Sequence, residues 1–487
     1  MITENNLTEL SCVEWEIPVS FRSDMRVPAR FFASKSMLSE ILGDRSLEQL
    51  INVATLPGIV GVALAMPDIH EGYGFPIGGV AATEWPDGVI SPGGIGYDIN
   101  CGVRLLKSDL TKTQIEPFKE TLAQGLSRSI PSGTGHGAPS GTGHGAGMTL
   151  DIAELDKVLM QGVGWALNKG YATESDLSHT ESHGRLDGAE PAAVSDLAKK
   201  RGCDQLGTLG SGNHFVEVGF VEKIFDEEAA RVIGLKQDQI TILIHTGSRG
   251  LGHQVATDYI RIMLQKLPEF GIELPDRELA CLPFSSKDGQ RYFAAMAAAA
   301  NFAWANRQMI TYHTREVWKR ILGEGDLSLV YDVAHNIAKI EEHLVSGKLK
   351  KVVVHRKGAT RAFGKGCAEL PKEYQSIGQP VIIPGSMGTA SYLMIGAAKA
   401  MEKTFGSACH GAGRVMSRHA AKRKQFGREL QDELACRGII IKTAAVHDLS
   451  EEAPYAYKDV DDIVNVIELA GIATKVARLK PLIVVKG

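Results

Sequence analysis

Apolar runs of strand length stop repeatedly at glycine or polar punctuation along this chain. ITILI (240–244) ends at His245, SLVYDVA (328–334) at His335, KVVV (351–354) at His355, and PVII (380–383) at Pro384-Gly385-Ser386. Short apolar runs bounded by turn signals read as buried strands, so chemistry-capable residues fall at strand ends. Between these runs, apolar positions at helical spacing predict helices within 149–170, 292–323, 415–436 and 459–480. This mixture predicts an α/β (mixed α+β) arrangement of packed β-sheets and helices in which several β-segments feed one site. No Pro/Ser-rich linker or block of charge divides the chain, so residues 1–487 are expected to form one body. The low-complexity stretch is 131–147, where SGTGHGA occurs at 132–138 and again at 140–146. It predicts a glycine-rich mobile loop, and its His136 and His144 are read as part of that loop rather than as metal ligands.

Composition narrows the picture. With 44% apolar, 23% charged and 6% aromatic residues, the 487-residue chain is that of an ordinary globular protein, which sets aside disordered, collagen-like and coiled-coil readings. Glycine is high at 53 residues, so many backbone positions are expected to need positive φ or close approach. The 53 basic and 57 acidic residues leave a net charge of −4, so any polyanion site must be a local patch. The acidic start MITENNLTELSCVEWE has neither a basic region nor an apolar core, against a signal peptide. The apolar stretch 292–305 is too short and alanine-rich for a membrane span and reads as a buried helix. Seven cysteines without a CxxC pair argue against disulfides or a zinc ribbon, and the cytoplasm is the expected compartment.

Within SPGGIGYDINCGVR (91–104), Asp98 and Cys101 pair a carboxylate with a thiol inside a glycine-rich turn. His214, His245 and His335 join them as candidate metal ligands, because each stands in a strand-then-turn setting flanked by small or hydrogen-bonding residues that can order a ligand. Thiolate and imidazole suit zinc or iron, whereas carboxylate suits manganese or magnesium, so the ligand types leave the metal open. Phosphate handling is the second theme. From Lys348 to Lys365 there are seven Lys/Arg and no acid, and from Arg414 to Arg428 there are six and no acid. Two such runs beside glycine turns predict a phosphate or RNA-backbone groove. In CHGAGRVMSR (409–418), His410 stands in a glycine turn expected to open a helix, and imidazole is a competent nucleophile toward phosphorus. No GxxxxGK[ST], HExxH or KxDG occurs, which excludes P-loop NTPases, zincins and the common lysine-dependent ligases.

Nine collinear segments resemble one family. GGIGYDINCGVR, LGSGNHFVEV, HTGSRGLGHQV, YDVAHN, HRKGATRAF, IPGSMGTASY, CHGAGR, EAPYAYKDVDD and PLIVVKG look like those of the RtcB-type RNA-splicing ligases, over residues 64 to 487. The resemblance implies a GTP- and manganese-dependent enzyme of tRNA splicing or RNA repair. Such an enzyme joins an RNA 3′-phosphate or 2′,3′-cyclic phosphate end to a 5′-hydroxyl end through a histidine–GMP intermediate and a GMP-capped 3′-end. It implies Asp98, Cys101, His214, His245 and His335 as ligands of two Mn2+ ions, with Cys101 as the bridge, and His410 as the guanylylated residue. It implies Asn213, Phe215, Glu217, Asn336, Gly385, Ser386, Ser391, Gly411, Ala412, Gly413, Tyr457 and Lys486 as guanine-nucleotide contacts. Arg201, Arg249 and Arg418 would contact RNA phosphate, and an archease-type activator is a candidate partner. Two rivals stand beside it: a dinuclear-metal phosphohydrolase that stops at cyclic-phosphate opening, and a noncatalytic RNA-end binder.

Overall fold

At His335 the chain leaves one sheet and enters another: the strand Leu327–Ala334 is the edge of an eight-stranded sheet, and Asn336–Val345 is the edge of a seven-stranded one. The computed structural model describes residues 2–132, 148–323, 325–443 and 445–487, so all but the first two residues of the loop expected at 131–147 lie outside the described residues. Among these, the first sheet runs in the order Leu327–Ala334, Gly102–Thr111, Gln239–Thr246, Phe215–Ile224, Ala473–Lys486, Ser391–Gly396, Pro380–Ile383, and Ile440–Thr443 pairs in parallel with Ala473–Lys486. The second runs Thr8–Ser11, Glu14–Ile17, Ala29–Phe32, Ile59–His70, Ile77–Glu84, Lys348–Lys357, Asn336–Val345. The short strands Ala359–Arg361 and Ser407–Cys409 pair with each other.

Register brings the candidate residues to one end of the first sheet. His245 stands opposite Val103 on one side and Phe215 on the other. The backbone then stitches the two sheets together: the His335 N–H donates to the Cys101 carbonyl at 2.7 Å, and the Asn100 N–H to the Asn336 carbonyl at 2.7 Å. A 36-residue helix, Lys287–Leu322, lies behind this junction, capped by the Ser286 hydroxyl, which accepts the Gly289 N–H at 3.0 Å. Its fully buried alanines, Ala295 and Ala297 to Ala300, let other elements approach closely. Its buried Asn306 and Arg307 reach the site loops.

The strand expectations at 240–244, 328–334, 351–354 and 380–383 match observed strands. The 292–305 stretch is buried within the long helix, and no helix is long and apolar enough to cross a membrane among the described residues. One helix expectation is corrected: in 459–480 the helix ends at Leu469, Gly471 takes φ +74°, and Ala473–Lys486 is a strand of the first sheet. The apolar residues of 472–485 are satisfied by three neighbouring strands, and that burial overrides their local helical spacing.

Candidate functional site

Asp98, Cys101 and His214 present a carboxylate oxygen, a sulfur and a ring nitrogen all within 4.8 Å of one another, a group able to hold a metal ion. His245 Nε2 lies 3.3 Å from Cys101 Sγ and His214 Nε2 3.6 Å, so the sulfur sits between two imidazoles. The His214 Nδ1–H donates to the Leu209 carbonyl at 3.0 Å, which leaves Nε2 facing Asp98 Oδ2 at 3.0 Å. A metal ion among this nitrogen, the carboxylate and the sulfur would engage all three. Burial and the His335 and His214 rings hold the His245 ring well below its ordinary value, and burial does the same for His335, so both are neutral donors. His335 Nε2 is buried without a hydrogen-bond partner, while its Nδ1 is 2.8 Å from the Thr360 hydroxyl. Burial and the Asp98 carboxylate push the Cys101 thiol well above its ordinary value, so a thiolate there needs positive charge beside it. This donor set fits a divalent metal. Gly247 makes room for it: a Cβ there would lie 2.4 Å from both Asp98 carboxylate oxygens.

A fully buried arginine ties the donor loops together. Arg307 donates to the Asn100 carbonyl at 2.8 Å, beside Cys101, and to the Thr246 carbonyl at 2.9 Å, beside His245. Its other nitrogens engage Asp332 at 2.8 and 2.9 Å, on the strand that leads to His335. Asn100, held at φ +51°, also accepts from Arg307 through its side chain at 3.0 Å.

His410 closes the row of imidazoles. Ring centroids step 5.6 Å from His214 to His245, 5.5 Å to His335 and 5.3 Å to His410. His410 follows the strand Ser407–Cys409, and its Nδ1 lies 2.6 Å from Asp68 Oδ2. The helix expected at the CHGAG turn begins instead at Arg418, after the Ser417 cap. Asp68 was not singled out from sequence. Its signal was the strand Ile59–His70 ending in PDIHEGYG, the same strand-end punctuation that marks the other candidates.

One cleft of about 260 Å³ joins these groups to the remaining candidates. Asp98, Cys101, His245, His335, His410, Asn213, Phe215, Glu217, Asn336, Gly385, Ser386, Gly411, Ala412, Gly413, Arg418, Tyr457 and Lys486 all line it. Ser391 stands one layer behind, its hydroxyl accepting the Gly385 N–H at 3.2 Å. At the end beyond Phe215, burial pushes the Glu217 carboxyl up to about 8, with Lys486 opposing. Burial lowers the Lys486 ammonium to about 8, and it donates to the Gly212 carbonyl at 2.7 Å. Arg414, the start of the second basic run, and Glu452, not anticipated, also line the cleft; Arg414 stacks 4.9 Å from the Tyr457 ring, and the Tyr457 hydroxyl donates to Glu452. Such an arrangement can hold a phosphate chain beside His410 and a polar aromatic base beyond it.

The three arginines divide. Arg418, half exposed, lies 3.2 Å from Glu452 Oε1. Arg201 donates to Gln254 at 2.9 Å and Arg249 to the Thr208 hydroxyl at 3.1 Å, both at the Asp98 end and outside the cleft lining. Gly210, at φ +101°, would bring a Cβ within 2.2 Å of Arg249 and 2.8 Å of His214 Nδ1, so glycine lets the arginine pack on the histidine. In the basic run 348–365, Arg356, Lys357 and Arg361 are buried, Arg356 bidentate to Glu341 at 2.6 and 2.8 Å and Arg361 on Glu369 at 2.6 Å, so these three are not open to phosphate, whereas Lys348, Lys351 and Lys365 are exposed.

Comparison with known proteins follows the same lines. A family profile described as tRNA-splicing ligase RtcB matches residues 49–487. A protein of Thermococcus kodakarensis named tRNA-splicing ligase RtcB is 53% identical over 485 residues, covering 99% of each chain. One of that name from Archaeoglobus fulgidus is 52% identical over 491 residues, covering 100% of each, and one from Methanococcus maripaludis is 51% identical over 488 residues, covering 99% of this chain and 100% of its own.

Proposed function

The chain belongs to the tRNA-splicing ligase RtcB family and is a metal-dependent RNA ligase, and on that premise we propose that it joins RNA 3′-phosphate or 2′,3′-cyclic phosphate ends to 5′-hydroxyl ends, with GTP as co-substrate and His410 as the GMP carrier. In this reading Asp98, Cys101, His214, His245 and His335 hold two Mn2+ ions. Divalent metal at such a site neutralises phosphate charge when bound.

The observation that carries the proposal is the Asp68 carboxylate 2.6 Å from His410 Nδ1. Asp68 keeps the proton on Nδ1, which leaves the Nε2 lone pair as nucleophile. Nε2 attacks the α-phosphorus of GTP; an N–P bond forms, the α–β bridging P–O bond breaks, and pyrophosphate leaves. A 3′-phosphate has no good leaving group, so GMP is next passed to one of its oxygens, the N–P bond breaking and imidazole being restored. The 5′-hydroxyl oxygen then attacks the 3′-phosphorus, loses its proton and expels GMP. A cyclic end is first hydrolysed to the 3′-phosphate. Phe215, Glu217, Tyr457 and Lys486 are assigned to the guanine end, Arg201, Arg249 and Arg418 to RNA phosphate.

The reading treats residues 1–487 as one catalytic body, since the cleft draws residues from His70 to Lys486. The seven free thiols suit a reducing cytoplasm. An archease-type protein is the proposed activator, to be tested by adding one to the ligation assay. The phosphohydrolase alternative is disfavoured because the relatives are ligases. The deciding experiment is incubation with labelled GTP and manganese: an acid-labile, base-stable protein–GMP adduct in the parent protein, absent from His410→Ala, supports the reading, and its absence from the parent overturns it.

A further inference from the structure

The helix Arg249–Lys266 starts at the Asp98 end of the imidazole row and runs outward. Residues four apart on a helix lie along one ridge and advance about 6 Å per step. On this helix that ridge reads Arg249, His253, Thr257, Arg261, Gln265, five polar residues with no acid among them. The His253 ring stacks on Tyr97 at 4.8 Å and 25°, and Tyr73 meets Tyr97 edge-on at 5.2 Å. Tyr97 precedes Asp98, so this aromatic stack stands beside the candidate metal cluster. Beyond it, Tyr97, Thr257, Arg261, Gln265 and Arg277 line a second groove together with Ile260 and Leu264. Arg261 and Arg277 in that lining are exposed.

A cationic groove with aromatic rings interleaved is the surface that holds single-stranded nucleic acid: arginines follow the phosphates and rings stack on bases. We propose that this groove, from Tyr97 and His253 to Arg261 and Arg277, is a subsite for the single-stranded RNA just outside the join. The inference rests on the RNA-ligase reading above and adds a site none of the candidate residues reaches. It accounts for a stacked pair of rings at the rim of a phosphate site, and for a charged ridge leading away from the end of the row opposite His410. Only a chain longer than the joined nucleotides themselves can reach it.

The test uses the full-length protein with manganese and GTP, and RNA in which either the 3′-phosphate strand or the 5′-hydroxyl strand is cut back from a long single strand to a dinucleotide. For the parent, shortening one of the two strands is expected to raise KM about tenfold or more; the arm that responds identifies the strand that occupies the groove. The Arg261→Glu, Arg277→Glu double variant and His253→Ala should each abolish most of that difference, and His253→Phe, which keeps a stacking ring, should restore it. The double variant should also flatten the salt dependence of KM for the long strand. GMP-adduct formation on His410 should stay within about twofold of the parent in all of them, since none touches the guanine end. Equal KM for long and short strands in the parent, or an unchanged long-to-short ratio in the variants, overturns the subsite while the adduct still reports on the ligase reading. Loss of the adduct in the parent would instead sink that reading.

Discussion

Asp68 holds His410 twice through one oxygen: Oδ2 lies 2.6 Å from the ring Nδ1 and accepts the His410 backbone N–H at 3.0 Å. The ring is thereby oriented and its tautomer set, with the other nitrogen left as the reactive lone pair. The Asp68 side chain is fully buried, so little else can substitute for this contact.

Asp68→Asn should therefore slow GMP-adduct formation by about 10³-fold or more, because an amide can offer N–H to Nδ1 and favour the wrong tautomer. Manganese affinity should hardly change. Adduct formation within a few-fold of the parent would show that the carboxylate only packs against the ring.

Cys101→Ala should weaken manganese binding by more than about 100-fold, since the sulfur lies between two imidazole donors and the effect should exceed that of an outer partner. Calorimetric titration measures this directly. Manganese should raise the melting temperature of the parent and leave that of the variant unchanged; full metal occupancy with normal ligation in the variant refutes the assignment.

Arg307→Met should cost about 3 kcal/mol in denaturant unfolding, because it leaves the fully buried Asp332 with Arg104 as its one remaining arginine partner and takes the donor from the Asn100 and Thr246 carbonyls. Arg307→Lys should lose metal affinity too, since one ammonium cannot reach the Asn100 and Thr246 carbonyls and Asp332 together. Retained metal affinity in the lysine variant would limit Arg307 to fold stability.

Glu217 predicts a pH dependence. Burial raises its carboxyl from 4.5 to about 8, so the folded state binds a proton that the unfolded chain releases above 4.5. The stability of the parent relative to Glu217→Gln should then fall as pH rises from about 4.5 to about 8, on the order of 1 kcal/mol per pH unit, and level off above. Paired melts across that range check it; a difference independent of pH would mean the carboxyl is ionised throughout.

His410→Ala should separate ring opening and sealing from nucleotide transfer. It should form no adduct and join no uncapped ends with GTP, yet still seal RNA whose 3′-phosphate already carries GMP, a step that needs no nucleophilic histidine. Joining of uncapped ends by the variant would remove His410 as the carrier.

Strand ends at His245 and His335 were legible because an apolar run of strand length and the residue that stops it are neighbours in the chain, and burial preference acts locally. The CHGAG turn was legible in the same way, although the helix expected there starts at Arg418. The buried part of the charge run 348–365 was misleading for a related reason. Arg356, Lys357 and Arg361 are consecutive or nearly so in sequence, but which of them meets solvent depends on what covers their strands, and here carboxylates and carbonyls on other elements bury all three.

What the tertiary structure alone decided is the pairing of distant groups. Asp68 reaches His410 across 342 positions, and Arg307 reaches Asn100 across 207, through sheet register and a helix packed behind the junction. The strand at 473–486 likewise replaced a helix because three flanking strands offered it hydrogen bonds and burial. Local pattern determines which segments are buried and where they stop, since those free energies come from near neighbours; which stopped ends meet is set by long-range packing, whose partners carry no mark in the sequence around either of them.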